Sequence, residues 1–267
     1  MSAANTSAEA GIASQATPTA AKTMAEGQAI SDTTAKISVR WHDINRSIPD
    51  SVKLIAVTKT FSAAIVRAAY AAGIRDFAEN KVQEAIAKKE ALSDLTDITW
   101  HFIGHVQSNK SRKVVENFDW VHSIDSLKLA KRMDKQAQEL KTQGIKAQVR
   151  CCLQVKLAAD PTKDGFEKAD LLAALPELNT LEHLKIEGLM VIPPYGLETA
   201  ETTAIFAAGQ ALANDIKAMG LERISMETLS MGMSSDYALA IAQGATMIRL
   251  GSILFGDRKQ KPDKKAP

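Results

Sequence analysis

The sequence predicts an α/β protein built as a single (β/α)8, TIM-like barrel. Three observations carry that expectation. A short apolar, β-branched run followed by a helical pattern recurs about eight times in one unbroken series. The chain has 267 residues, a length at which such barrels commonly form one undivided domain. The turn after the first strand reads Lys59-Thr-Phe-Ser62, not the G-x-G-x-x-G turn of an open doubly wound sheet, which is the alternative architecture.

The elements follow in order. Met1 to about Gln28 is rich in Ala, Ser, Thr and Gly without a continuous apolar core, so residues 1–28 are expected to be a disordered leader. A signal peptide would need a basic start and an unbroken apolar stretch, and this segment has neither. A weak helical pattern runs from Ser31 to about Asn45 and stops at the turn Ser47-Ile-Pro-Asp50. Val52–Thr58 reads as a buried strand, and Ser62 then stands where a helix N-cap belongs, ahead of an Ala-rich helix ended by Gly73. Ile74–Ala78 precedes a helix from about Lys81 to Leu92; Thr99–Ile103 precedes Ser108 to Asn117. Trp120–Ile124 precedes Asp125 to Gln143, closed by Gly144. Ala147 to Val155 is a long strand, followed after a loop by a helix near Lys168 to Leu175. Ile186–Met190 precedes a long helix from about Thr199 to Met219; Thr228–Ser230 precedes Ser235 to Gln243; Thr246–Leu250 leads into Gly251. The barrel is thus expected over residues 29–258, with 259–267 a basic, solvated tail.

Composition removes several classes of function. With 33 basic and 31 acidic residues the net charge is only +2, so no global field draws nucleic acid or an anionic membrane. No apolar run approaches membrane-spanning length. Cys151 and Cys152 are adjacent, and neighbours on a strand point to opposite faces, so they are expected as two packed thiols in a reducing, cytoplasmic compartment.

Chemistry in this architecture sits at the C-terminal ends of the strands. Those ends carry Lys59, Glu79-Asn80, Gly104-His105, Met231-Gly-Met-Ser-Ser235, and Arg249 followed by Gly251-Ser252. Lys59 follows the apolar run Ile55–Thr58. It is either a lysine reaching out to solvent or an amine whose burial favours the neutral, nucleophilic form that condenses with aldehydes. Leu229–Asp236 and Arg249–Ile253 are small-residue turns at helix starts, with Ser and Asp as caps. Their amides and hydroxyls either close ordinary turns or bind an anion. Arg249 lies inside an apolar strand and needs a partner, a protein carboxylate or a ligand atom. His101, between Trp100 and Phe102, reads as a satisfied core histidine. No cluster has metal-ligand spacing, and no metal is expected.

Several segments together resemble the pyridoxal phosphate homeostasis protein family. They are Ala56-Val-Thr-Lys59; Glu79-Asn80 with Val82-Gln83-Glu84; Trp100-His-Phe-Ile-Gly104 with Gln107-Ser-Asn-Lys110; Leu229–Ser234 with Asp236; and Ile248-Arg-Leu-Gly251 with Ile253-Leu-Phe-Gly256. They run in the family's order from about Val52 to Arg258. Four features depart from its pattern: Ala78 where glycine is common, Val106 where leucine is usual, Lys163-Asp-Gly-Phe166 in place of a Lys-Ser/Thr-Gly segment, and an N-terminal helix that looks short behind a long leader.

The resemblance implies a barrel similar to the alanine racemase N-terminal domain and a bound pyridoxal 5′-phosphate (PLP). Lys59 would carry the cofactor as a Schiff base. Ser234 with the backbone of Gly251 and Ser252 would hold the phosphate, Arg249 would face the pyridine nitrogen, and Asn80 and Met231 would line the ring. It further implies a monomeric carrier or buffer of PLP in vitamin B6 and amino-acid homeostasis, delivering to PLP-requiring apoenzymes, with no catalytic residue of its own. The alternative is a PLP-dependent amino-acid racemase. That chemistry needs a second acid/base from a further domain, and the chain ends about a dozen residues after Phe255. A weaker alternative is a Schiff-base aldolase without PLP, which leaves the two anion-binding turns unexplained.

Overall fold

The computed structural model describes the backbone of residues 18–145, 148–160 and 162–256, and side chains from residue 31 onward. The first element is helix α1 (Pro18–Ser47). It starts within the stretch expected to be disordered, so that expectation is corrected for residues 18–28. Proline suits a first helical turn and the alanines that follow are strong helix formers. Residues 1–17 and the expected tail at 259–267 lie outside the described residues, as does Ala147, the expected start of the fifth strand.

Strand and helix then alternate. The order is β1 (Lys53–Val57), α2 (Ala63–Ala71), β2 (Asp76–Glu79), α3 (Val82–Ala91), β3 (Thr99–Phe102), α4 (Ser111–Asn117), β4 (Trp120–Ile124) and α5 (Leu127–Thr142). It continues with β5 (Val149–Lys156), the two-residue β6 (Phe166–Glu167), α6 (Lys168–Leu178), β7 (Leu184–Met190), α7 (Thr199–Ala218), β8 (Ile224–Ser230), α8 (Tyr237–Ala242), β9 (Met247–Leu250) and α9 (Ser252–Phe255). Every pairing is parallel. The sheet runs β4-β3-β2-β1-β9-β8-β7-β5 and closes through β4–β5 into an eight-stranded barrel, with β6 appended to β5. No described helix is long and apolar enough to cross a membrane.

Two elements differ from their sequence pattern for local reasons. Strand β8 begins four residues earlier than Thr228, because Ser225 and Glu227 face solvent while Ile224 and Met226 are buried, an alternation that hides a half-exposed strand. Helix α8 begins later than Ser235, because the amides of Asp236 and Tyr237 both bond to the Met233 carbonyl and hold the chain in a turn first. Ser62 stands at the N-cap of α2 but its hydroxyl makes no capping bond.

Apolar side chains fall into two clusters that follow strand alternation. Leu54, Ala56, Phe77, Phe102, Val121, Cys151, Leu153, Ile248 and Leu250 pack between the barrel and its helices. Ile55, Val57, Ala78, Trp120, Cys152, Met190 and Met247 pack against one another inside. The adjacent cysteines thus separate to opposite faces, both buried and free. Ala78 and Val106, the departures from the family pattern, are both buried core residues. The alternation also turns charged and polar groups inward: Asp76 on β2, His101 on β3, His122 on β4, Ser230 on β8 and Arg249 on β9.

Candidate functional site

At the end of β1 the chain makes a tight turn. Phe61 N donates to Thr58 O (3.0 Å), with Lys59 and Thr60 at the corners. Thr60 has φ 73°, a left-handed conformation that a β-branched residue adopts at a cost of about 1–2 kcal/mol. Packing on both sides holds it there. The Phe61 ring lies 5.0 Å from that of Phe255 on α9. On the other flank Thr58 Oγ1 donates to Glu79 Oε1 (2.7 Å), and Lys88 Nζ donates both to Glu79 Oε1 (2.5 Å) and to Thr58 O (2.8 Å). Glu79 therefore faces α3 and serves the frame of the turn. Lys59 is half-buried at the barrel mouth.

The two turns suspected of anion binding are joined: Gly251 N donates to Ser234 Oγ (3.2 Å). Gly232 has φ 94°, and a Cβ there would stand 2.7 Å from Ala240 Cβ, so this turn admits only glycine. Asp236 does not cap α8; its carboxylate accepts from Met233 N (2.6 Å) within the turn. Among the described residues no protein acceptor takes the amides of Ser234, Ser235, Ser252 or Ile253. Helices α8 and α9 have six and four residues, too short for a useful macrodipole. The anion-binding capacity lies in individual N–H groups and the Ser234 hydroxyl.

Arg249 is 4% exposed and pairs in register with Ile55 across β1–β9, two inward positions below Lys59. The sequence left its partner open between a carboxylate and a ligand atom. Its guanidinium donates to Ser230 Oγ (2.6 Å) and Val191 O (3.2 Å), and among the described residues no carboxylate lies within ion-pair distance. Burial lowers its pKa to about 10.

Asn80 follows β2, and its Oδ1 is buried without a hydrogen-bond partner among the described residues. Gly104 lies against it so closely that a Cβ would stand 2.2 Å from Asn80 O. A cavity of about 360 Å³ opens here between the β2–α3 and β3–α4 loops, with Asn80, Gln83, Phe102, His105, Gln107 and Lys110 in its walls. The position of Met231 needs a correction. Its side chain is fully buried among the outer core residues, its Sδ near Gly209 of α7, so only its backbone can border a ring at the mouth.

His101 is a core residue, wholly buried and hydrogen-bonded to Asp76 and His122. His105 Nδ1 stands 3.3 Å from Asp125 and 3.0 Å from Asp164 at the mouth, a grouping that sequence spacing does not reveal. Sequence reasoning also missed Ser230 as the acceptor of Arg249. Its signal is its place at the end of a strand neighbouring β9, two residues from buried Thr228 on the same face.

Residues 33–259 match the family described as alanine racemase, N-terminal domain. A pyridoxal phosphate homeostasis protein of Synechocystis sp. is 50% identical over 220 residues, covering 82% of this chain and 97% of that protein. The solved structure of PipY from Synechococcus elongatus PCC7942 with PLP bound superposes with a TM-score of 0.78 at 50% identity, over 82% of this chain and all of that one. An alanine racemase of Clostridium difficile 630 shares the fold, with a TM-score of 0.69 at 16% identity, over 84% of this chain and 57% of that one.

Proposed function

This chain belongs to the pyridoxal phosphate homeostasis protein family, within the alanine racemase N-terminal domain fold, and we propose that it binds PLP as a Schiff base on Lys59 and acts as a carrier. The observation that carries this reading is Arg249, a buried guanidinium without a carboxylate partner among the described residues, below a lysine whose turn packs on a turn suited to an anion. The donor set fits the group. Ser234 and the amide of Ser252 suit a phosphate, while the Gly251 amide, expected to join them, is taken by Ser234 Oγ and holds that hydroxyl in place; Asn80 Oδ1 offers an unmet buried polar atom beside a ring, and Arg249 suits a ring nitrogen.

When bound, PLP supplies an aldehyde and an electron-accepting ring. Lys59 would hold it through Nζ, the amine condensing with that aldehyde with loss of water. Arg249 would donate a hydrogen bond to the ring nitrogen and keep its own proton, because even at about 10 its pKa lies well above neutral pH. A ring nitrogen left unprotonated is a weak electron sink, which favours carriage over catalysis. The half-buried Lys59 at an open mouth suits release to PLP-requiring apoenzymes, in service of vitamin B6 and amino-acid balance. The two free buried thiols suit the cytoplasm, and the carrier acts as a monomer.

The test is a visible spectrum of the protein loaded with PLP, before and after borohydride, with mass spectrometry of the reduced adduct. The expected result is a bleached band and a pyridoxyl group on Lys59. Lys59→Ala loses the adduct while keeping weak, reversible PLP binding. An adduct on another lysine, or none, overturns the reading. Turnover of alanine or another amino acid at about 1–10³ s⁻¹ would establish the racemase alternative.

A further inference from the structure

The barrel interior holds an unbroken line of hydrogen bonds from floor to mouth. Arg249 Nη1 meets Ser230 Oγ at 2.6 Å, and Ser230 Oγ meets His122 Nδ1 at 2.8 Å. His122 Nε2 meets His101 Nδ1 at 2.9 Å, and His101 Nε2 meets Asp76 Oδ1 at 3.0 Å. Lys53 Nζ donates to the same Asp76 oxygen (3.1 Å) from the N-terminal end of β1. Ser230, His122 and His101 are fully buried, whereas the Lys53 and Asp76 side chains are 43% and 16% exposed.

Chemistry at the two ends fixes the direction of the terminal bonds, and neutrality of both imidazoles fixes the rest. A guanidinium only donates, so Ser230 accepts from Arg249, and with both imidazoles neutral its own O–H points to its other neighbour, His122 Nδ1. His122 then carries its proton on Nε2 and donates to His101 Nδ1. His101 carries its proton on Nε2 and donates to Asp76, and an ionised carboxylate only accepts. The line fills from both ends with two neutral imidazoles of one tautomer. The other complete fillings turn a His122 Nδ1–H toward Ser230, and each makes one of the two histidines a buried imidazolium. Burial opposes that charge and lowers the pKa of both histidines, His122 most strongly.

We propose that Asp76 is the remote counter-charge of Arg249, joined to it through His101, His122 and Ser230, and that this line positions the guanidinium at the cofactor's ring nitrogen. Arg249 needs such a partner because among the described residues no carboxylate touches it. Each donor in the line is polarised by the acceptor beyond it, so Ser230 Oγ faces Arg249 as a stronger acceptor than an isolated hydroxyl. Asp76, His101, His122 and Ser230 are thus positioning residues for Arg249. The role assigned to the ring nitrogen rests on the function proposed above; the line of bonds does not.

The experiment has two arms. In the first, ¹⁵N–¹H NMR of the wild-type protein without PLP reads the tautomers. Both buried imidazoles are expected as neutral Nε2–H forms at pH 7.5. A proton on His122 Nδ1, or a doubly protonated His101, overturns the proposal. In the second arm, Asp76→Asn keeps the shape of the floor and removes its charge, and Ser230→Ala cuts the line beside Arg249. Each is expected to weaken PLP retention about fivefold, the size of one weakened charge-assisted hydrogen bond, and to displace the visible band. The double variant is expected to do no more than either alone. Additive effects, or an Asp76→Asn spectrum and affinity equal to wild type, overturn the proposal, and Ser230→Ala still decides if Asp76→Asn fails to fold. A wild-type protein with no PLP band refutes the functional reading and leaves the tautomer result standing.

Discussion

Glu79 and Lys88 show how a single residue at the mouth can be structural. Glu79 is wholly buried, its Oε1 accepts from Lys88 and Thr58, and its Oε2 has no hydrogen-bond partner among the described residues. Burial raises its pKa, against the lowering pull of Lys88 and Thr58. Removing one member of such a pair strands the other charge. Lys88→Met is therefore expected to destabilise the fold by about 3–5 kcal/mol at neutral pH. Adding Glu79→Gln should recover much of that loss. Urea unfolding of the single and double variants checks both statements, and equal midpoints for Lys88→Met and wild type would refute the first.

At the scale of elements, what positions the candidate site is the approach of neighbouring loops. The β2–α3 loop carries Asn80, and Gly104 after β3 leaves room for its backbone. Gly104→Ala would place a methyl 2.2 Å from Asn80 O, a contact with backbone that no rotamer relieves. The expected outcome is a loss of about 1–3 kcal/mol in stability together with weaker PLP retention. Parallel thermal melts and equilibrium dialysis measure the two, and unchanged retention would show that Asn80 lies apart from the ligand. Much at this scale was legible in the chain. The Trp100–Gly104 segment reads as a strand ending in glycine, because apolar alternation and glycine punctuation are local properties. The length of β8 was not, since its alternate residues are polar and face solvent.

The whole molecule carries a pH dependence written in its interior. Burial lowers the pKa of His101 and His122 below the usual 6.5, so the folded barrel keeps them neutral while the unfolded chain takes up protons. Their stabilising contribution is complete above about pH 6.5 and is lost as pH falls below it. With two protons bound on unfolding, the slope approaches about 2.7 kcal/mol per pH unit. The charged groups facing the pair are Asp76, Lys53, Asp119 and Arg249. Asp76, held below the usual carboxylate range in the fold, adds a further loss only at still lower pH; Glu79, raised, acts in the opposite sense. Melting temperatures of the PLP-free protein between pH 5 and 8 test this, and a flat profile would refute it.

By itself the sequence determined the order and type of nearly every element, the strand ends where Lys59, Asn80 and Arg249 stand, and the turns around Ser234 and Gly251. Each of these depends on residues within one or two turns of chain. Only the tertiary structure decided that Met231 turns outward, that Arg249 meets a serine and not a carboxylate, and that Asp76, His101, His122 and Ser230 form one line. His122 and Ser230 are 108 residues apart, and their side chains meet only because eight strands close on one interior. Closure is a property of the whole sheet, and no local pattern encodes which inward side chains will face one another across it.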